Sequence, residues 1–204
     1  MRILLSSLFA FMLIGCASYP KKNGYQSVET IQKESLNPYF SDVSKDYVYK
    51  AKIEAFDKTF GGLFIVKKLG PQHHRVVFTT EIGNTLFDFT FQEDDFKVNR
   101  ILKEMDRKLL INILKRDFKV LLEEHPGVLQ TFKNNDDFVY AVKIGSKKHY
   151  FYHSDDALQK IARVGGGKEK GIFSFSKIRD DLAGTIQISH KTFPLTITLS
   201  LIES

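Results

Sequence analysis

The sequence predicts a mainly β protein with a helical insertion: a curved antiparallel sheet of about 11–12 strands that forms an incomplete β-barrel covered by a helix. Three observations predict it. Apolar and polar residues alternate along most of the chain, which is the period of strands with one buried face. Turn signals rich in Gly, Asn, Asp and Pro separate these runs at short intervals. One stretch alone changes to a spacing of three and four. The chain carries 18 Phe and no Trp, and the Phe residues lie mostly within the alternating runs, as expected of one domain with a sizeable core.

In chain order, Tyr47, Tyr49, Ala51, Ile53 and Ala55 alternate with Lys50, Lys52 and Glu54 and predict the first strand. Further strands are expected at 60–69, turning at Gly70-Pro71, and at 75–82. Gly83-Asn84 has the residue order of a two-residue hairpin turn leading into Phe87, Phe89 and Phe91, which share one face. A strand at 96–102 completes a meander. Asp106 then fits a helix N-cap, Leu110, Leu114, Phe118 and Leu121 form an apolar stripe, and Pro126-Gly127 ends the helix. Its polar side carries Lys108, Lys115, Arg116 and Lys119, suited either to solvent or to lipid headgroups. Strands follow at 128–133, 138–144, 148–153, 158–164, 171–178, 185–190 and 193–202, with Gly165-Gly166-Gly167 as a flexible turn. The stripe of the inserted helix finds its natural cover on the concave face of the sheet.

The beginning of the chain has a different character. Residues 3–15 are apolar behind Arg2 and end in Gly15, immediately before Cys16, the single cysteine. The stretch has the proportions of an export signal and is short for a membrane span. Its ending reads as a bacterial lipobox, with cleavage after Gly15 and with diacylglycerol and an amide-linked acyl chain, such as palmitate, placed on Cys16. Residues 1–15 are therefore read as a signal peptide, 16–45 as a lipidated tether with a short helix at 28–36, and 46–204 as the folded domain. Two or more acyl chains hold a protein stably on a bilayer. Ala17 and Ser18 after the cysteine suit the outer membrane, with the domain facing the periplasm. A lipidated Cys16 leaves no thiol for a disulfide. The net charge of +6 is modest and scattered, and serves either plain solubility or attraction to an anionic membrane surface; nucleic acid is not expected in that compartment.

The chemistry-bearing residues do not assemble into a catalytic pattern, and no enzyme is expected. His73 and His74 are expected in the turn next to Gly70-Pro71, where adjacent residues point oppositely, and His149 and His153 lie about 13 Å apart along one strand face, too far to share a zinc ion. Ser154 lacks a nucleophile elbow despite His153, Asp155 and Asp156 beside it. Asp94-Asp95 reads as turn chemistry, and Gly165-Gly166-Gly167-Lys168 has no helix after it to cradle phosphate. No metal and no dissociable cofactor is expected. The aromatic face is the remaining candidate. Phe64, Val66, Phe87, Phe89, Phe91, Phe173 and Phe175 either pack as an ordinary core or enclose a void shaped for acyl chains.

The run Arg75-Val76-Val77-Phe78-Thr79-Thr80-Glu81-Ile82-Gly83-Asn84-Thr85-Leu86-Phe87-Asp88-Phe89 resembles the third and fourth strands of the LolB family of outer-membrane lipoprotein receptors, within the LolA/LolB half-barrel superfamily. The layout is similar over most of the chain: lipobox, early short helix, meander, helical insertion and closing strands. The resemblance implies an unclosed barrel whose cavity takes acyl chains of lipoproteins from a periplasmic LolA-like carrier, acting as a monomer. It also implies a membrane-inserting loop at Ile82 and Gly83, where the family has a protruding leucine. A large aliphatic side chain there exposes apolar surface that burial among acyl chains would stabilise by roughly 1.5–3 kcal/mol; the alternative is that Ile82 folds back onto the sheet edge. The family's proline before the leucine is Glu81 here, and the helical region around 107–122 has no match to the family's segments. The expected function is delivery of lipoproteins to the outer membrane. The alternatives are a structural or assembly lipoprotein that holds a protein partner, and a phospholipid or lipopolysaccharide shuttle.

Overall fold

A computed structural model describes residues 18–202. Cys16 and its lipidation lie outside the described residues, as does the apolar leader. A single antiparallel sheet of thirteen strands accounts for most of the chain. Five strands form the first meander: β2 (Asp46–Ala55), β3 (Lys58–Gly70), β4 (His73–Thr79), β5 (Thr85–Gln92) and β6 (Asp95–Ile101). The helix α2 (Lys108–Leu122) follows. The second meander is β7 (Val128–Asn134), β8 (Asp137–Ile144), β9 (Lys147–Ser154), β10 (Ala157–Gly165), β11 (Lys168–Arg179), β12 (Leu182–His190) and β13 (Leu195–Leu201).

β13 pairs with β2, from Leu195 opposite Ala55 to Leu201 opposite Tyr49. The two meanders are thus one sheet, with β6 at one edge and β1 (Gln26–Val28), paired with β7, at the other. The edges do not meet, so the barrel is open. Because α2 links the edge strand β6 to β7 near the opposite edge, its path lies across that opening.

The alternation follows from burial. β2 buries Tyr47, Tyr49, Ala51, Ile53 and Ala55 and leaves the lysines between them in solvent. The buried sides of the strands and the stripe of α2 form one contiguous apolar cluster. A smaller cluster of Phe132, Val139, Ala141 and Tyr150 packs against Tyr19 and Tyr25 on the other side. Tyr19 belongs to a four-residue helix, α1 (Tyr19–Lys22), and its hydroxyl donates to Glu169.

Four expectations change. The helix expected at 28–36 is absent: Gln26–Val28 form an edge strand, and the early helix lies at 19–22. The segment expected as a tether carries Ser35, Asn37, Tyr39 and Phe40 fully into the interior. Asp106 is not the N-cap. The chain leaves β6 through a turn that buries Met105, Asp106 spends its backbone N–H on Leu102, and Arg107 takes the cap position without a side-chain bond. His73 and His74 belong to a strand rather than a turn, because β3 and β4 extend to a shorter hairpin than Gly70-Pro71 suggests.

The hairpin between β4 and β5 also differs from the two-residue turn expected at Gly83-Asn84. The strands end at Thr79 and resume at Thr85. Gly83 N–H donates to Thr80 O at 3.0 Å and Thr80 N–H to Asn84 O at 2.8 Å. Glu81 and Ile82 hold the two central positions of a turn, and Gly83 closes it at φ +89°, where glycine carries no steric penalty. No helix among the described residues is long and apolar enough to cross a membrane.

Candidate functional site

The concave face is built where the inward sides of β3, β4, β5 and α2 converge. Phe64 and Val66 on β3, Phe78 on β4, and Phe87 and Phe89 on β5 are all excluded from solvent. Phe118 of α2 descends among them, its ring centroid 5.2 Å from that of Phe64 and 5.8 Å from that of Phe87. Phe87 stacks on Phe89 at 4.5 Å. Phe91 lies further along the strand, 5.1 Å from Phe96. Phe173 and Phe175 join the same cluster from β11, where Phe175 packs at 4.7 Å on Tyr39. All seven residues proposed to line a cavity are therefore interior. Phe64 and Phe87 meet Phe118 directly, and Phe175 meets Tyr39. Ring contacts run from Phe64, Phe87 and Phe89 up to Phe118, so with α2 seated these rings are covered from solvent.

Tyr39 and Phe40, neighbours of Pro38 in a polar stretch, escaped the sequence reading; an aromatic pair interrupting such a stretch was the available signal. Tyr39 donates its hydroxyl to Leu158 O. Phe40 packs edge-on against Tyr47 at 5.2 Å.

The two ends of α2 are held differently. At the C-terminal end Asn37 Nδ2 donates to Leu121 O at 2.9 Å and to Glu123 O at 3.1 Å, satisfying carbonyls that a helix end leaves open. Lys68 pairs with the adjacent Glu124 at 2.7 Å. Buried His74 places Nε2 3.1 Å from Phe40 O, and burial pushes its pKa below the ordinary histidine value. The N-terminal end has no side-chain cap.

A polar row crosses the concave face beneath the middle of α2. His149 on β9 is opposite Arg163 on β10, Arg163 is opposite Gly171 on β11, and Gly171 is opposite His190 on β12. The Arg163 guanidinium lies over Gly171, where a Cβ would come within 3.0 Å of Nη2. From α2, buried Asp117 reaches His190 Nε2 at 2.7 Å and accepts from Arg116 Nε at 3.2 Å. Burial, followed by repulsion from Arg163, lowers His149 to about 4. Sequence parity carried this signal: His149 shares a strand side with Phe151, and Arg163 with Ile161.

At the hairpin between β4 and β5, Ile82 is 86% exposed and does not fold back onto the sheet edge. Glu81 beside it pairs with Lys50 at 3.2 Å. Among the described residues, no group of three or more metal-binding side chains is found. A depression of about 470 Å³ lies against Tyr39 and is ringed by Asp155, Asp156, Asp180 and Asp181. Three of these have left-handed backbones and serve their hairpin turns.

No family model matches the sequence, and no curated protein matches it. Solved structures similar in fold include a LolA superfamily protein from Nitrosomonas europaea, at 10% identity and a TM-score of 0.48, covering 82% of this chain and 88% of the other. A DUF1329 family protein from Desulfovibrio piger aligns at 11% identity and 0.41, over 79% and 85% of the two chains. An outer membrane lipoprotein-sorting protein domain from Vibrio parahaemolyticus aligns at 8% identity and 0.40, over 78% and 83%.

Proposed function

We propose that this protein is a lipid-anchored, acyl-chain-binding protein that takes lipoproteins from a periplasmic LolA-like carrier and places them in the outer membrane, without covalent chemistry. The observation that supports it most directly is the aromatic concave face covered by a single helix. That helix is anchored at its C-terminal end by Asn37 and has no side-chain cap at its start. Lifting α2 exposes Phe64, Phe87 and Phe89 together, and a cargo chain then takes the space of Phe118. Each methylene moved from water onto that face contributes about 0.8 kcal/mol, so a long acyl chain offsets the loss of the helix's own contacts. Ile82 is the tip that enters the bilayer during release, and Cys16 carries the anchor.

The packed interior favours one second reading, a structural or assembly lipoprotein whose β6 edge holds a protein partner. Titration of the full-length protein with a soluble palmitoylated peptide, followed by native mass spectrometry, separates the two. The acyl-binding reading expects one peptide per chain, with faster hydrogen exchange in α2 than in the sheet. Absence of any bound peptide, together with normal sorting of other lipoproteins after depletion, overturns it. Ile82→Glu is expected to keep peptide binding and stability, because the side chain touches solvent, and to slow transfer of the peptide to vesicles. Undiminished transfer removes the tip role.

A further inference from the structure

Beside α2, a depression of about 230 Å³ opens between the helix and the hairpin that joins β8 to β9. Lys115, Arg116 and Lys119 enter it from the helix, and Lys147 and His149 from the hairpin and β9. Val120 and Ile144 contribute apolar wall. Two of the four cations have carboxylate partners: Arg116 contacts buried Asp117, and Lys119 contacts Asp94, which stands fully in solvent. Lys115 lies 5.1 Å from the centroid of the Phe96 ring. Among the described residues no carboxylate pairs with Lys115 or Lys147. The pocket thus holds an excess of positive charge against low-dielectric walls, where an anion is held more tightly than on an open surface.

Two buried polar atoms of its lining residues have no hydrogen-bond partner among the described residues. His149 is 1% exposed, with Nδ1 3.2 Å from Lys147 O, and its Nε2 has no hydrogen-bond partner. Nη2 of Arg116 is buried and unpartnered as well. Buried polar atoms are nearly always satisfied in a folded protein. Two such atoms beside one cationic pocket are accounted for by an anionic guest.

We propose that this pocket is a binding site for a phosphate group, either the phosphodiester of an anionic lipid headgroup or free phosphate. A phosphate presents several acceptor oxygens, enough to engage Lys115, Lys147 and the open Nη2 of Arg116 together. A negative guest favours protonation of His149, whose Nε2–H then donates to a phosphate oxygen while Nδ1–H stays on Lys147 O. The apolar wall formed by Val120 and Ile144 suits a headgroup that carries its glycerol carbons with it. Its lining includes none of the Phe residues of the aromatic face, and the inference does not depend on the acyl-binding proposal.

The test uses the full-length protein and its Lys115→Gln/Lys147→Gln variant, whose changed side chains are not buried. The ring signals of His149 are followed by NMR with three probes: inorganic phosphate, dihexanoylphosphatidylglycerol and dihexanoylphosphatidylcholine. Saturable perturbation of His149 by phosphate or by the glycerol lipid, weakened about tenfold in the variant, supports the site. Tighter binding of the glycerol lipid than of phosphate assigns a headgroup, and the reverse assigns the free ion. If neither anion moves His149, or if the variant binds as well as the parent, the proposal is overturned. Uptake of the palmitoylated peptide by the same variant shows independently whether the aromatic face still functions.

Discussion

His190 Nε2 stands 2.7 Å from Asp117 Oδ2, with both side chains closed off from solvent. This contact joins the middle of α2 to the end of β12, and His190 is held in turn by its Nδ1, 3.0 Å from Leu195 O. Deleting one partner leaves the other buried without it, a loss of about 1–3 kcal/mol. Asp117→Ala and His190→Ala are each expected to lower the unfolding free energy read from urea titration by that amount, and the double variant by less than the sum. Additive losses would show that the two residues act separately.

Phe118→Ala removes the ring that touches both Phe64 and Phe87. A buried Phe truncated in a packed setting costs about 3–5 kcal/mol, reduced where neighbours collapse into the space. Urea unfolding checks the stability change. An apolar dye that binds the variant and not the parent would show that the vacated volume is open to guests.

Gly62 shows how closely β3 and β4 approach where their pairing ends. A Cβ there would lie 1.8 Å from the carbonyl oxygen of Thr79, whereas one at Gly61 meets nothing within 4 Å. Gly62→Ala is therefore expected to cost more than about 3 kcal/mol, because backbone must move. Gly61→Ala serves as the neutral control. Equal melting temperatures for the two variants would contradict the close approach.

The strand alternation made most of the sheet legible before any coordinates, since each run from Tyr47 onwards buries one side. What escaped was set by contacts distant in sequence. Gln26–Val28 is a strand because Thr131, Phe132 and Lys133 lie beside it, and its composition alone gives no such sign. Tyr39 and Phe40 were hidden in a polar segment whose interior position depends on Tyr47, Leu158 and Phe175. The Phe lining was readable as interior residues, but not as a face already filled by Phe118, because periodicity assigns a side and says nothing of the volume beyond it. His149, Arg163 and His190 read as polar and therefore outward, and only the parity shared with Phe151 and Ile161 argued otherwise.

Stability is expected to decline on mild acidification. Burial, opposed only weakly by Asp156, lowers His153 to about 4, and His149 is held at about 4 as well, against 6.5 for the unfolded chain. Their contribution is complete above pH 6.5 and is lost as pH falls towards 4, because the unfolded chain takes up protons that the native chain refuses. Each such histidine contributes a slope of about 1.4 kcal/mol per pH unit. Glu123, raised by burial, works in the opposite sense over part of the range. Urea midpoints at about pH 7 and about pH 5 should differ accordingly, and His149→Gln should flatten the dependence. A pH-independent midpoint would mean that both rings charge freely in the native state.

The seam between β13 and β2 gives the molecule a keystone. Until residues 195–201 arrive opposite 49–55, the two leaves of the sheet have no common backbone ladder, however well each hairpin has zipped. Such distant pairing is slow to find, so a chain threaded unfolded through a membrane, N-terminus first, would emerge with its earliest leaf unclosed and its aromatic surface bare. Any export route for this protein would need a chaperone, or time, to shield that surface until the final strand clicks into place.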